Sequence, residues 1–360
     1  MAGLRVASGP SRTSAALPAV GEEKRSVLIV DDEAGVRHLM RRWLESRGYA
    51  VAVATGADQA LELLASAPTA VALCDLRMPG HDGLWLAGQL RHEHPDTAVI
   101  IATGLNDVSA VVESLRQGVV DYLTKPFARD RLCQAVSRGV EWHRAARESR
   151  QWRERLEGEM RCRRAHLEEV IASQFVDSDE DLDILLATLT ATNLEAYSHA
   201  CRVAALAVGV ARSLDISGSD LETIERGALL HDIGKLAMPE AVLRKPAPLT
   251  AEEMRLVRHY PLVGYELISP VAFLASAAAV VRDIQERVDG YGYPGARRGD
   301  DVCLGARIVA VADAYDTMTR ARVFRDPIAP EQAIAEITSV SGTQFDSRAV
   351  AAFLATVDKA

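Results

Sequence analysis

The chain predicts a multidomain protein: a doubly wound, five-stranded parallel α/β domain, a long helical connector and an all-α domain. Three observations lead to that expectation. Short continuous apolar runs alternate with amphipathic helical stretches over the first third. A stretch dense in charges of both signs, with no proline, follows from 129 to about 173. From 177 onward the apolar residues recur at helical spacing, with no alternating strand pattern.

A length of 360 residues suggests two or three domains. Hydrophobic content of 48% and charged content of 25% are those of an ordinary water-soluble protein. A formal charge of −9 weighs against DNA or anionic-membrane binding. Cys74, Cys133, Cys162, Cys201 and Cys303 are scattered, without a CxxC pair, which fits a reducing cytoplasm and excludes a thiolate zinc knuckle. No apolar run reaches transmembrane length, so a cytoplasmic protein is expected. Residues 1–25, rich in Ala, Ser, Pro and Gly, are expected to form a disordered tail.

The α/β domain is expected over 26–128, with strands at 27–30, 50–54, 71–74, 99–102 and 119–123. Val36, Met40, Trp43 and Leu44 fall at helical spacing between the first two. Such a sheet places its site at the carboxyl ends of its strands, where Asp31, Asp32, Asp75, Thr103 and Lys125 stand. Taken singly, each is a helix cap or a surface charge. Converging, three carboxylates repel one another unless a cation holds them, and hard oxygen donors suit Mg²⁺. A carboxylate beside Mg²⁺ and a lysine can accept a phosphoryl group.

In the connector, 129–176, Trp142, Trp152, Leu156, Met160, Leu167 and Val170 make a sparse apolar stripe. It serves either a homodimer that transmits a signal or a solvated spacer. The all-α domain, 177–360, opens with Glu195 and His199, four apart on one helical face. Leu229–Lys235 reads LLHDIGK, which sets His231 beside Asp232 at the end of an apolar helical run. Buried, that pair needs hydrogen bonds, a counter-charge or a metal, and a lone His-Asp dipeptide is by default a satisfied structural pair. Gly234 is expected to end the helix, with Lys235 a cation just beyond it. His259, the Asp289–Pro294 stretch, Asp313 in an apolar helix, Arg322 and Arg325 follow. His199, His231, Asp232 and Asp313 together make an N,O donor set suited to Fe, Mn or Zn, with positions open for water.

Residues 26–127 resemble a two-component receiver domain through VLIVDDE, ALCDLRMPGHDGL, VIIATG and DYLTKPF. The resemblance implies that Asp75 takes phosphate from a sensor histidine kinase. It implies that Asp31 and Asp32, with the main-chain carbonyl of Arg77, hold Mg²⁺, and that Lys125 pairs with the phosphoryl oxygens. Thr103 and Tyr122 would form the switch.

Residues 185–360 resemble the HD-GYP metal-dependent phosphodiesterases of cyclic di-GMP through HDIGK, LRKPAPLTAEE, RHYPLVGYELI, DGYGYP, ARIVAVADAYD and GTQFD. That implies a first metal on His199, His231, Asp232 and Asp313, with Asp232 bridging to a second. His259 would bind the second metal and Glu195 a third. Lys235, Arg322 and Arg325 would hold substrate phosphates, and Tyr293 would belong to a loop for substrate and partner contacts, a GGDEF-type protein included. One departure stands out. Where the family has HHExxDGxGYP, this chain begins Ile284-Gln285-Glu286, and no histidine follows His259. Two functions are therefore expected as alternatives: a kinase-controlled phosphodiesterase, or a degenerate module that binds nucleotide or protein under the same control.

Overall fold

The computed structural model describes residues 25–104, 118–174, 176–191, 194–320 and 326–358. The tail expected at 1–25 lies outside the described residues except for Arg25, and so do Arg322 and Arg325. The chain divides into two compact units, Met1–Gln151 and Trp152–Ala360.

The first unit is a parallel sheet of β1 (Ser26–Val30), β2 (Ala50–Ala54), β3 (Val71–Asp75), β4 (Ala98–Thr103) and β5 (Asp121–Thr124). Helices α1 (Ala34–Glu45), α2 (Ala57–Ser66) and α3 (Gly83–Glu93) connect the first four strands. The strand order is β2-β1-β3-β4-β5, so the chain reverses its direction of travel across the sheet between β1 and β3. That switch point opens a crevice at the carboxyl ends of these two strands. Side chains alternate along β1. Leu28 and Val30 join Leu86 and Leu90 on one face, while Val27 and Ile29 join Met40 and Leu44 on the other. With both faces covered, β3 and β4 are buried along their whole length, which is why they read as unbroken apolar runs. β3 and β4 each run one residue past the expected end, so Asp75 and Thr103 are their last residues.

Helix α4 (Arg129–Ser173) is continuous over 45 residues. Its stripe does not stand exposed along its length. Leu132, Ala135 and Val136 are buried in the core of the first unit. Leu156 is buried, and Leu167 and Ile171 enter the core of the second unit with Met160 and Val170 packed against it. Those apolar groups are therefore removed from water within the chain itself, whereas Trp142 and Trp152 keep more than a third of their surface.

The second unit is helical: α5 (Asp179–Leu189), α6 (Leu194–Ser213), α7 (Ser219–Leu230), α8 (Glu240–Leu243), α9 (Ala251–Val257), α10 (Tyr260–Ile268), α11 (Ala278–Asp283), α12 (Leu304–Thr319), α13 (Pro330–Ser339) and α14 (Ser347–Val357). One contiguous core runs through it, with Val203, Ala207, Ala228, Val280, Ile308 and Phe353 fully buried. Small residues let the helices approach. Gly234 is such a residue, and its role differs from the expected helix stop. Helix α7 ends at Leu230, and Gly234 lies within a 3-10 turn at Ile233–Ala237. A β-carbon there would stand 2.0 Å from the Tyr260 carbonyl oxygen and 2.7 Å from the Gly264 amide nitrogen. Glycine is required because backbone meets backbone. Among the described residues, no helix is long and apolar enough to cross a membrane.

Candidate phosphoacceptor and metal centres

The crevice of the first unit gathers the expected acidic set. Asp31, directly after β1, is fully buried, and Asp75 at the end of β3 is 8% exposed. Carboxylate oxygens of Asp31, Asp32 and Asp75 lie within 4.8 Å of one another. The Lys125 ammonium stands 2.8 Å from Asp31 Oδ2 and 2.8 Å from Asp75 Oδ1. Burial pushes the Asp75 carboxyl above its ordinary range; Asp31 and Asp32 add to this and Lys125 opposes it. Burial alone would lower Lys125, but its two carboxylate partners outweigh burial and hold it above its usual value. The pocket thus carries more negative charge than one lysine offsets, a field that favours a divalent cation. Helix α3 comes in close beside it, since a β-carbon on Gly83 would lie 2.3 Å from the Asp75 carbonyl oxygen. Thr103 is buried, and among the described residues its hydroxyl donates to the Gly104 carbonyl at 3.4 Å. Tyr122 is 39% exposed.

In the second unit, α6, α7 and α12 bring His199, His231 and Asp313 together, with one donor atom from each inside a 4.8 Å span. His199 Nε2 is 3.2 Å from Asp313 Oδ1; His231 Nε2 is 3.9 Å from the same oxygen and 3.6 Å from Asp232 Oδ1. Ligands about 2.1 Å from a shared cation stand roughly 3–4 Å apart, which is this spacing. The imidazoles are held from behind. His231 Nδ1 lies 2.6 Å from the Ala228 carbonyl, and His199 Nδ1 lies 2.7 Å from Asp316 Oδ2. Each contact assigns the proton to Nδ1 and leaves Nε2 as a lone-pair donor. His231 Nε2 and Asp232 Oδ1 are buried without a hydrogen-bond partner, and His199 Nε2 is buried with only the poorly directed approach to Asp313 Oδ1 at 3.2 Å. Three such acceptor-type atoms facing one another fit a cation.

Electrostatics agree. Burial would depress His199, but Asp313 and Asp316 overcome it and raise its pKa to about 9. Burial would raise Asp232, but Lys235 and His231 bring it below its usual range. The cluster therefore seeks positive charge, and a proton on His199 and a metal ion are alternative ways to supply it. Lys235 donates to Asp232 Oδ2 at 2.7 Å and lies 4.9 Å from the Tyr260 ring centroid.

Other expected site residues stand elsewhere. Glu195 is largely exposed and accepts from Arg202 Nη2 at 2.9 Å, because that arginine, already bound to Asp316, is the nearer cation. His259 is exposed and caps α10 without a side-chain bond. Its neighbour Tyr260 turns into the site, 2% exposed, with an unpartnered hydroxyl. Ile284 lies in the apolar core, and Gln285 Oε1 accepts from the Tyr293 hydroxyl at 3.2 Å. The loop that carries Tyr293 is pinned by buried Glu286, which accepts from the amides of Gly295 and Arg297. Tyr291 at its tip is 84% exposed.

Sequence reasoning missed Asp316 and Tyr260. Asp316 follows Asp313 by three residues, on the same helix face. Tyr260, Pro261, Val263, Gly264, Leu267 and Ile268 are the buried residues of α10; 260, 263/264 and 267/268 recur at helical spacing, and His259 before them is exposed.

An acidic crevice with a lysine in a parallel sheet, followed by a helical domain with a histidine–aspartate cluster, defines a response regulator with an HD-type effector domain. Comparison with known proteins agrees. The response regulator receiver domain matches residues 27–137, and the HD domain matches 185–349. "Cyclic di-GMP phosphodiesterase response regulator RpfG" of Xanthomonas campestris pv. campestris (strain 8004) is 33% identical over 341 residues, covering 91% of this chain and 87% of that one. "Cyclic di-GMP phosphodiesterase" of Thermotoga maritima is 29% identical, covering 91% and 89%. "3'3'-cGAMP-specific phosphodiesterase 2" of Vibrio cholerae is 31% identical over a shorter stretch, covering 44% of this chain and 31% of that one. The chain belongs to the response regulators that join a receiver domain to an HD-GYP phosphodiesterase domain.

Proposed function

We propose that a histidine kinase phosphorylates Asp75 in the cytoplasm and that this controls a metal-dependent phosphodiesterase acting on cyclic di-GMP or a related cyclic dinucleotide. The carrying observation is the set of buried atoms without a well-directed hydrogen bond, His199 Nε2, His231 Nε2 and Asp232 Oδ1, beside Asp313. These four residues would hold Fe, Mn or Zn, and Asp31, Asp32 and Asp75 would hold Mg²⁺. A metal ion there supplies Lewis acidity toward a phosphoryl oxygen and makes nearby water more acidic. The chain's own groups do the rest: Asp316 and the Ala228 carbonyl orient the imidazoles, and Lys235 brings a cation to the edge of the site. Tyr293 and Arg258 line its cavity, and their stacking, 5.6 Å from guanidinium to ring centroid, suits a phosphate beside a base. Relatives that act on cyclic dinucleotides support the substrate class.

A second reading has its own support. Ile284 belongs to the core and His259 faces solvent, so neither adds a ligand, and the domain would bind nucleotide or a GGDEF-type partner without turnover. Metal content and cyclic di-GMP breakdown, measured on the full chain with and without beryllofluoride, separate these. Metal-dependent breakdown that changes with beryllofluoride in the wild type and not in Asp75→Asn is expected. Binding without breakdown selects the second reading, and no binding at all overturns both.

A further inference from the structure

Beside the His199–His231–Asp313 cluster the side chains change in kind. The Tyr260 hydroxyl is buried and donates to no acceptor in good geometry, while the Gln285 side chain stands within reach of its oxygen and Asp232 and Asp313 are close enough to act on it. Gln285 is tied to Tyr293, and both line a cavity of about 230 Å³ that reaches Asp313 and has Arg258 on its wall. A second cation would find poor ligands here. A neutral phenol and an amide oxygen already engaged by Tyr293 bind metal weakly, and Ile284 offers nothing. Asp232 Oδ2, the oxygen that could bridge, is taken by the Lys235 ammonium. The same groups suit an anionic oxygen. A buried hydroxyl without an acceptor costs about 1–3 kcal/mol, and an arriving phosphoryl oxygen removes that cost with a charge-assisted hydrogen bond.

We infer that the metal centre holds a single ion, and that Tyr260, supported by Gln285 and Tyr293, donates a hydrogen bond to a phosphoryl oxygen of the ligand in place of a second cation. This rests on the phosphodiesterase-type reading of the site. Tyr260 is then a binding residue, unlike its neighbour His259.

The test uses the full chain loaded with Mn²⁺ and desalted into excess Mg²⁺, which takes the receiver's acidic crevice so that retained Mn²⁺ counts the helical domain alone, with inorganic phosphate and cyclic di-GMP titrated by calorimetry. The wild type is expected to keep about one ion in the helical domain. Tyr260→Phe is expected to keep that ion and to bind phosphate about tenfold more weakly, the worth of one hydrogen bond to a charged acceptor. Gln285→Leu, which frees Tyr293 and leaves Tyr260 in place, is expected to weaken phosphate less and leave metal content unchanged. Two ions in the wild type, loss of the ion in Tyr260→Phe, or unchanged phosphate affinity would each overturn the inference. Should phosphate bind in a Tyr260-dependent way while cyclic di-GMP does not bind, the inference stands and the substrate assignment fails.

Discussion

Asp316 offers the sharpest perturbation of the proposed metal centre, because it touches His199, a proposed ligand, without itself being proposed as one. Its carboxylate accepts from His199 Nδ1 at 2.7 Å and from Arg202 at 2.7 and 3.0 Å, with the residue 6% exposed. Asp316→Asn keeps the shape and removes the charge. One amide oxygen can still accept, but the amide N–H₂ then faces either His199 Nδ1–H or the Arg202 guanidinium, donor against donor. A partner of this kind sets the tautomer and basicity of the ligand, and its loss lowers metal affinity about 10- to 100-fold, or roughly 1.4–2.8 kcal/mol. Folding loses part of a charge-assisted network as well, about 1–3 kcal/mol. Competition against a fluorescent chelator reads the first effect, and urea denaturation of the metal-free protein reads the second. A metal affinity within twofold of wild type, in a variant that is measurably destabilised, would refute the claim that Asp316 orients His199.

Further outcomes are expected. Asp75→Asn should abolish uptake of phosphate from acetyl phosphate, read by phosphate-affinity electrophoresis, while metal content of the helical domain stays unchanged; labelled Asp75→Asn protein would remove Asp75 as acceptor. Gly234→Ala puts a β-carbon 2.0 Å from the Tyr260 carbonyl, so backbone must shift; a loss of at least about 3 kcal/mol is expected by urea denaturation, and a variant as stable as wild type would contradict the packing. Glu253 bonds Lys245 first, then the Thr250 amide in a capping box, and its pKa falls from 4.5 to about 2. A depressed folded-state value means stability that is present above the unfolded pKa and lost as pH falls from 4.5 toward 2. Glu253→Gln should therefore cost about 1 kcal/mol at neutral pH and less as the pH approaches 2, and a penalty independent of pH would count against the pairing.

The α/β unit was legible because its physics is local. Strands covered on both faces must be continuous apolar runs, and alternating strands and helices put the site at the strands' carboxyl ends, while the switch point between β1 and β3 is seen only in the strand order. Asp31, Asp75 and Lys125 could thus be placed by counting to the ends of runs. The stripe on α4 was less legible for a related reason. Leu156, Met160, Leu167 and Val170 bear the same periodicity whether they meet a second copy or their own chain. Periodicity reports that a face is buried and leaves open what buries it.

The metal centre divides along the same line. His199, His231, Asp232 and Asp313 are polar residue types set in apolar helical runs, where a buried polar group needs a partner, so their chemistry alone drew attention to them. Tyr260 and Asp316 required helical phase. Within RHYPLVGYELI the histidine stands out by chemistry, yet burial begins at 260 and includes 261, 263, 264, 267 and 268, while 259 is exposed. Direction therefore overrides chemistry: an imidazole on the wet face is a surface group, and a phenol on the dry face belongs to the site. Tyr260 and Lys235 stand by Asp232, while Gln285, Ile284 and Arg258 line the cavity that reaches Asp313. This wall of the site offers hydroxyl, amide and cationic groups and apolar surface, no further imidazole among its described residues, and a carboxylate, Glu286, that backbone amides already engage. That wall fits one metal ion and one anionic ligand better than two metal ions.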